Sequence, residues 1–214
     1  GLSAVTICSQ LPVFAAEETA QATDTATQPQ TADPSVVTTN GIDGWPQASD
    51  ISSTAAIVME TSTNTVLYSK NADQALYPAS AVKVMTCLVA LENSSLDDQV
   101  TMTATGVSGV TDGGANISSQ LDEVFTMEQC LYAIMVASAN DIALQVAEHV
   151  GGSVDAFVQT MNTRAQELGC TNTVFTNPTG LPDENQHITA HDMALIMEAA
   201  MANKTFRTIA ATTS

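Results

Sequence analysis

A lysine is embedded in a run with almost no polar surface, and this constrains the chain most. Ser80-Ala81-Val82-Lys83 leads into Val84-Met85-Thr86-Cys87-Leu88-Val89-Ala90-Leu91. From Ala81 to Leu91 the pattern is apolar nearly all round, which predicts a buried helix rather than an amphipathic surface one. Tyr77-Pro78-Ala79 precedes it, and proline suits a helix entry. Serine and lysine three positions apart on a helix share a face, one turn from each other. Burial disfavours the charged ammonium and lowers its pKa. A neutral amine can take the serine proton, and the first helical amides can hold an oxyanion. The bland alternative is a capping serine and a surface lysine. The apolar surroundings argue against it, and Lys83 is one of only three lysines, with Lys70 and Lys204.

Charge excludes one class of partner. The chain of 214 residues has a formal charge of −18, from 23 acids and 5 bases. Nucleic acid is not an expected partner, because phosphate neutralisation needs clustered lysine and arginine. There is likewise no basic patch for anionic lipid.

Along the chain, residues 1–16 (GLSAVTICSQLPVFAA) are apolar and too short to span a bilayer. They read as the remnant of a secretory signal, with Val13-Phe14-Ala15 near its cleavage site. Residues 17–50 lack lysine and arginine and are rich in Ala, Thr, Gln, Asp and Pro. This composition predicts a disordered extracytoplasmic linker. The folded domain is expected over 51–214, and it too is acidic.

In that domain Ala55–Glu60 and Thr65–Ser69 read as a β-hairpin across Thr61-Ser62-Thr63-Asn64. Residues 103–120 read as loop. Thr126 and Gln129 form a capping box opening a helix to about Met135. Further helices are expected over 140–149, ending at Gly151-Gly152, over 153–168, and from Thr189 to about Met201. Between the helix that opens at Thr126 and the one over 140–149 lies Ser138-Ala139-Asn140. Its serine can relay a proton and its asparagine can grip a substrate amide. Ser62-Thr63-Asn64 and Ser69-Lys70-Asn71 match the same three-residue pattern, but only position 138 lies between two apolar helices.

His187 and His191 stand four apart beside Asp183, Glu184 and Asp192; polar residues at a helix start are the simpler reading than a metal site. His149 is expected to face the dipole at a helix end. Of the four cysteines, Cys8, Cys87, Cys130 and Cys170, the second and third sit in apolar runs and read as buried free thiols.

Three segments in order resemble the low-molecular-weight serine D-alanyl-D-alanine carboxypeptidases, which are penicillin-binding proteins. They are AAIVMETSTNTVLYSKNADQALYPASAVKVMT, LYAIMVASANDIALQVAEHVGG and LGCTNTVFTNPTGLPDENQHITAHDMALIMEAAM. The family's marks are a Ser-x-x-Lys, a Ser-x-Asn and a Lys-Thr-Gly triplet. The resemblance implies an α/β fold of the serine β-lactamase/transpeptidase type, with an N-terminal hairpin and a helical region. It implies Ser80 as acylated nucleophile, Lys83 as its base, Ser138 as proton relay and Asn140 as substrate-binding residue, with no cofactor and no metal. The implied substrate is a peptidoglycan stem peptide ending in D-Ala-D-Ala, with β-lactams as covalent inhibitors and an extracytoplasmic location. The sequence departs from the family form at Ala139, where glycine is usual, and at Val82, where threonine is usual. Lys204-Thr205-Phe206 does not match the Lys-Thr-Gly strand, which lies further downstream in the family. The chain therefore reads as lacking its C-terminal strands, with an unpaired sheet edge, no turnover by itself, and any membrane association left to that region. Two other readings are a class A-like β-lactamase, for which Glu167 is the one nearby acid, and a non-catalytic penicillin- or wall-binding module.

Overall fold

The computed structural model describes the backbone of residues 4–7 and residues 38–45, 47–49, 51–109 and 114–212. The segments 8–37 and 110–113 lie outside the described residues, and with them Cys8 and most of the expected linker.

A three-stranded antiparallel sheet has the order β1-β2-β3, formed by β1 (Ala4–Ile7), β2 (Ala56–Glu60) and β3 (Thr65–Lys70). The hairpin β2–β3 is where the alternating apolar runs place it. Glu60 closes its turn by accepting hydrogen bonds from the backbone and hydroxyls of Ser62 and Thr63. Those donors hold its carboxyl well below the usual range, at about 2. A bulge shifts the register between Val58 and Met59. Two segments from outside the expected domain also meet this sheet. Ala4–Ile7, within the stretch expected to be a signal remnant, runs antiparallel to β2, so both edges of β2 are paired. A β-branched apolar tetrapeptide fits a sheet edge as well as a leader. The last residues of the expected linker also lie on the sheet. Thr38 bonds through N and Oγ1 to the Ser69 carbonyl, and the Trp45 indole donates to Leu67 O at 2.7 Å.

The helical region is built around α1 (Val82–Asn93), in which every residue from Val82 to Ala90 is buried. Around it pack α3 (Met127–Val136), α4 (Asn140–Gly151), α5 (Val154–Glu167), α6 (Ala190–Ala202) and α7 (Lys204–Ala210). Their core includes Met85, Leu88, Leu131, Ile134, Ile142, Phe157, Ile196 and Phe206. A helix enclosed on all sides cannot present a polar stripe, which explains its uniform apolarity. A second, smaller core joins sheet to helices, with Ile57 and Met59 of β2 against Ala194 of α6.

Helix ends follow the caps. Thr126 and Gln129 form the reciprocal capping box of α3, Ser153 caps α5, and Thr189 accepts from the Asp192 amide at the start of α6. The stretch expected as loop over 103–120 instead contains a short helix, α2 (Ala104–Ser108), capped by Thr103. It is flanked by a two-stranded ribbon of β4 (Gln99–Thr101) and β5 (Val124–Thr126). Three-residue strands carry too little alternation to show in a sequence. Lys204-Thr205-Phe206 opens the separate helix α7, whose N-cap is Asn203.

Cys87, Cys130 and Cys170 are free and buried. Among the described residues no helix is long and apolar enough to cross a membrane.

Candidate active site

Two backbone bridges bring distant segments under one cleft. Leu76 pairs with Ile188, N to O in both directions at 2.9 Å, and Val174 pairs with His187. The segment leading to Ser80 thus runs beside the loop 177–188. Pro78 caps a short 3₁₀ turn, Ala79–Ala81, which feeds α1. Ser80 is exposed in that turn, while Lys83, one turn on, is only 3% exposed.

Ala79 has φ of 47°, a left-handed value for a residue with a Cβ. Such positions cost on the order of 1–3 kcal/mol and persist only when neighbours impose them. Gly180 is the neighbour here. A Cβ at that position would fall 1.9 Å from the Ala79 carbonyl oxygen. Only glycine lets the loop come this close to the turn that carries Ser80.

Ser138 lies in the turn between α3 and α4 and is also left-handed, with φ of 55°. Its hydroxyl donates to Ser80 Oγ at 3.1 Å, across 58 positions of chain. Lys83 Nζ stands 3.3 Å from the same oxygen. The two groups expected to flank the nucleophile therefore meet at Ser80, and lie at most two hydrogen bonds from each other.

Burial lowers the Lys83 pKa from its ordinary value to about 8, and the nearby Cys87 thiol acts weakly in the opposite sense. Burial pushes Cys87 itself far up, so it remains a neutral thiol near pH 7. A lysine lowered this far holds a minor neutral fraction near pH 7, and a neutral amine beside a serine hydroxyl is what a general base requires.

Asn140 opens α4 and is buried. Its amide N–H donates to Ala115 O at 2.8 Å, while its side-chain oxygen has no hydrogen-bond partner among the described residues. That oxygen is shielded from solvent, and the Asn140 side-chain nitrogen lies beside Gly114; among the described residues no hydrogen bond joins the Asn140 side chain to Ser80, Lys83 or Ser138.

The sequence reading passed over three features of this site. Lys83 Nζ donates to the Thr179 carbonyl at 2.6 Å. Thr86, fully buried one turn beyond, donates to the Pro178 carbonyl at 2.7 Å. Asp141 is buried and accepts from Ser119 N and Oγ and from Ile117 N, tying the 114–120 loop to the start of α4. Thr86 had a signal, since it shares the Lys83 face at i+3. The carbonyl contacts had none, because they depend on a loop more than ninety residues away.

The histidines are dispersed. His187 Nδ1 meets Asn185 O and His191 Nδ1 meets Asp73 Oδ1, each at 3.1 Å, while His149 sits in the last turn of α4. Glu167 pairs with Arg164 on α5. Beside the cleft lies a pocket of about 420 Å³, lined by Tyr77, Pro78, Leu181, Pro182 and Glu184 among others.

Comparison with known proteins gives the same direction. The family model for D-alanyl-D-alanine carboxypeptidase matches residues 43–214. The D-alanyl-D-alanine carboxypeptidase DacF of Bacillus subtilis is 38% identical over 147 residues, 66% of this chain and 37% of its own length. A D-alanyl-D-alanine carboxypeptidase structure from Mycobacterium tuberculosis superposes with a TM-score of 0.73 at 32% identity, covering 79% of this chain and 64% of that one. A mutant of the Streptomyces K15 DD-transpeptidase superposes with a TM-score of 0.72 at 31% identity, covering 76% of this chain and 66% of that one. The chain thus spans little more than a third of the length of the Bacillus relative. With its α/β fold shared with penicillin-binding proteins and DD-peptidases, the chain belongs to the D-alanyl-D-alanine carboxypeptidase family.

Proposed function

We propose that this chain carries the acylating half of a serine D-Ala-D-Ala carboxypeptidase. One observation supports it above the rest: Ser80 Oγ is within 3.3 Å of a buried lysine amine and 3.1 Å of a second serine hydroxyl. In this reading Ser80 Oγ attacks the carbonyl carbon between the two terminal D-alanines and Lys83 Nζ takes the hydroxyl proton. Ser138 relays a proton to the departing D-alanine amine as the C–N bond breaks. Water then cleaves the Ser80 ester and frees the shortened peptide. Asn140 receives the substrate backbone.

The partner is a peptidoglycan stem peptide ending in D-Ala-D-Ala, and β-lactams acylate the same serine. The substrate places the protein outside the cytoplasm. In that reading residues 1–16 are the leader remnant and 17–50 the linker to a domain at 51–214; N-terminal sequencing of the exported protein tests this.

The function is tested with benzylpenicillin and a D-Ala-D-Ala peptide. Tested on the whole protein, acylation mapped to Ser80 and lost in Ser80→Ala, together with D-alanine release, is the expected result. Acylation without release makes the chain a penicillin-binding module. Rapid hydrolysis of the penicillin makes it a β-lactamase. No acylation at all overturns the reading.

A further inference from the structure

Two side chains on one face of α1 donate to two consecutive carbonyls of one loop. Lys83 Nζ bonds Thr179 O at 2.6 Å and Thr86 Oγ1 bonds Pro178 O at 2.7 Å. All three of Lys83, Thr86 and Thr179 are buried. The loop is fixed from its own side by Asn177. Its Oδ1 accepts from Thr179 N, Thr179 Oγ1 and Gly180 N, and its Nδ2 donates to Leu181 O. Gln186, also buried, accepts from the amides of Thr176 and Asn177.

Lysine has a long flexible stem, and its three hydrogens are served by whichever acceptors lie in reach. A carbonyl held rigidly on one side of Nζ decides where the amine points. We infer that Thr86 and Asn177 are positioning residues for Lys83: they pin the Pro178–Thr179 backbone so that the Thr179 carbonyl keeps Nζ against Ser80. This inference rests on the proposed role of Lys83 as base. The groups acting on the charge of Lys83 are its burial and the Cys87 thiol one turn along the same helix. From the facing loop comes the Thr179 carbonyl, and from the α3–α4 turn comes Ser138, through Ser80. A carbonyl acceptor favours the ammonium over the amine. Releasing it moves Lys83 further below its value of about 8, and at the same time frees Nζ to swing from Ser80.

The test compares Thr86→Val with Thr86→Ser. Valine keeps the shape and loses the hydroxyl; serine keeps the hydroxyl and loses a methyl group. Acylation by benzylpenicillin should slow roughly tenfold or more in Thr86→Val, with the initial binding constant unchanged, as expected for a displaced base. Thr86→Ser should stay near the parent rate. A merely structural role predicts that serine, which leaves a void, falls as far as valine. Equal losses in the two variants, or a wild-type rate in Thr86→Val, overturn the inference. Because the chain has three lysines, a ¹³Cε-lysine NMR titration reads Lys83 directly, even if the parent is not acylated and the functional reading fails. There, a fall in Thr86→Val but not in Thr86→Ser supports the inference, and equal titration in both overturns it. If Thr86→Val does not fold, Asn177→Ala carries the same titration from the loop side.

Discussion

Ser138 donates its hydroxyl hydrogen to Ser80 at 3.1 Å, although the two belong to different helix junctions. Ser80 Oγ is thereby the shared atom of the cluster, with Lys83 on its other side. If the proposed relay operates through that contact, Ser138→Ala leaves the nucleophile and base in place and removes the proton path to the leaving group. Loss of a proton-transfer group costs on the order of 10²–10⁴ in rate. Release of D-alanine should fall by that range, with the melting temperature unchanged. A loss of less than about tenfold would detach Ser138 from the proposed proton path.

The pH profile follows from Lys83. Its pKa, lowered by burial to about 8, makes the neutral amine the minor form at pH 7. Acylation should therefore rise with pH, about tenfold per pH unit well below 8, and level off above it. The check is the second-order acylation constant from pH 6 to 10. A profile already flat at pH 7 would take the base role from Lys83.

Much of this was legible in the sequence, and the limits are specific. The buried lysine betrayed α1, because a helix with every face enclosed has no other pattern available to it. Ser138 stood out by lying between two apolar helices, and the Thr126–Gln129 box marked α3. The ribbon β4–β5 and helix α2 were hidden, since three to five residues hold too few periods to register. The Thr179 and Pro178 carbonyls were hidden for another reason: a backbone acceptor leaves no trace in residue identity, and its position is a product of tertiary packing.

Asp141 holds the loop beside the cleft. Its carboxylate receives three hydrogen bonds from Ser119 and Ile117, and the residue is 3% exposed. Asp141→Ala strands those donors, at a cost of about 1–3 kcal/mol for each buried group left unpaired. We expect a lower urea midpoint and slower acylation, because Asn140, which bonds Ala115 of the same loop, moves with it. Ser119→Ala, which removes one donor, should show a milder form of both effects. Unchanged acylation in a folded Asp141→Ala would mean the loop plays no part in shaping the cleft.

Gly180 and Gly152 make a matched pair. Both have positive φ, 83° and 73°. A Cβ at 152 meets nothing within 4 Å, whereas at 180 it collides with the Ala79 carbonyl. Gly152→Ala should cost only the left-handed conformation, about 1 kcal/mol, and leave acylation intact. Gly180→Ala should displace the turn that carries Ser80 and reduce acylation at least tenfold. Equal acylation by the two variants would show that the close approach at 180 is unimportant for the proposed role of Ser80.

The bridge between Leu76 and Ile188 has a bearing on when the site comes into being. Contacts between segments so far apart close large loops and form after local structure. Until 177–188 docks, Lys83 has neither its cover nor the Thr179 carbonyl, and an uncovered lysine is an ordinary ammonium with no appetite for a proton. If Lys83 is the base, as proposed, a chain whose 177–188 loop has not docked should be chemically silent at Ser80.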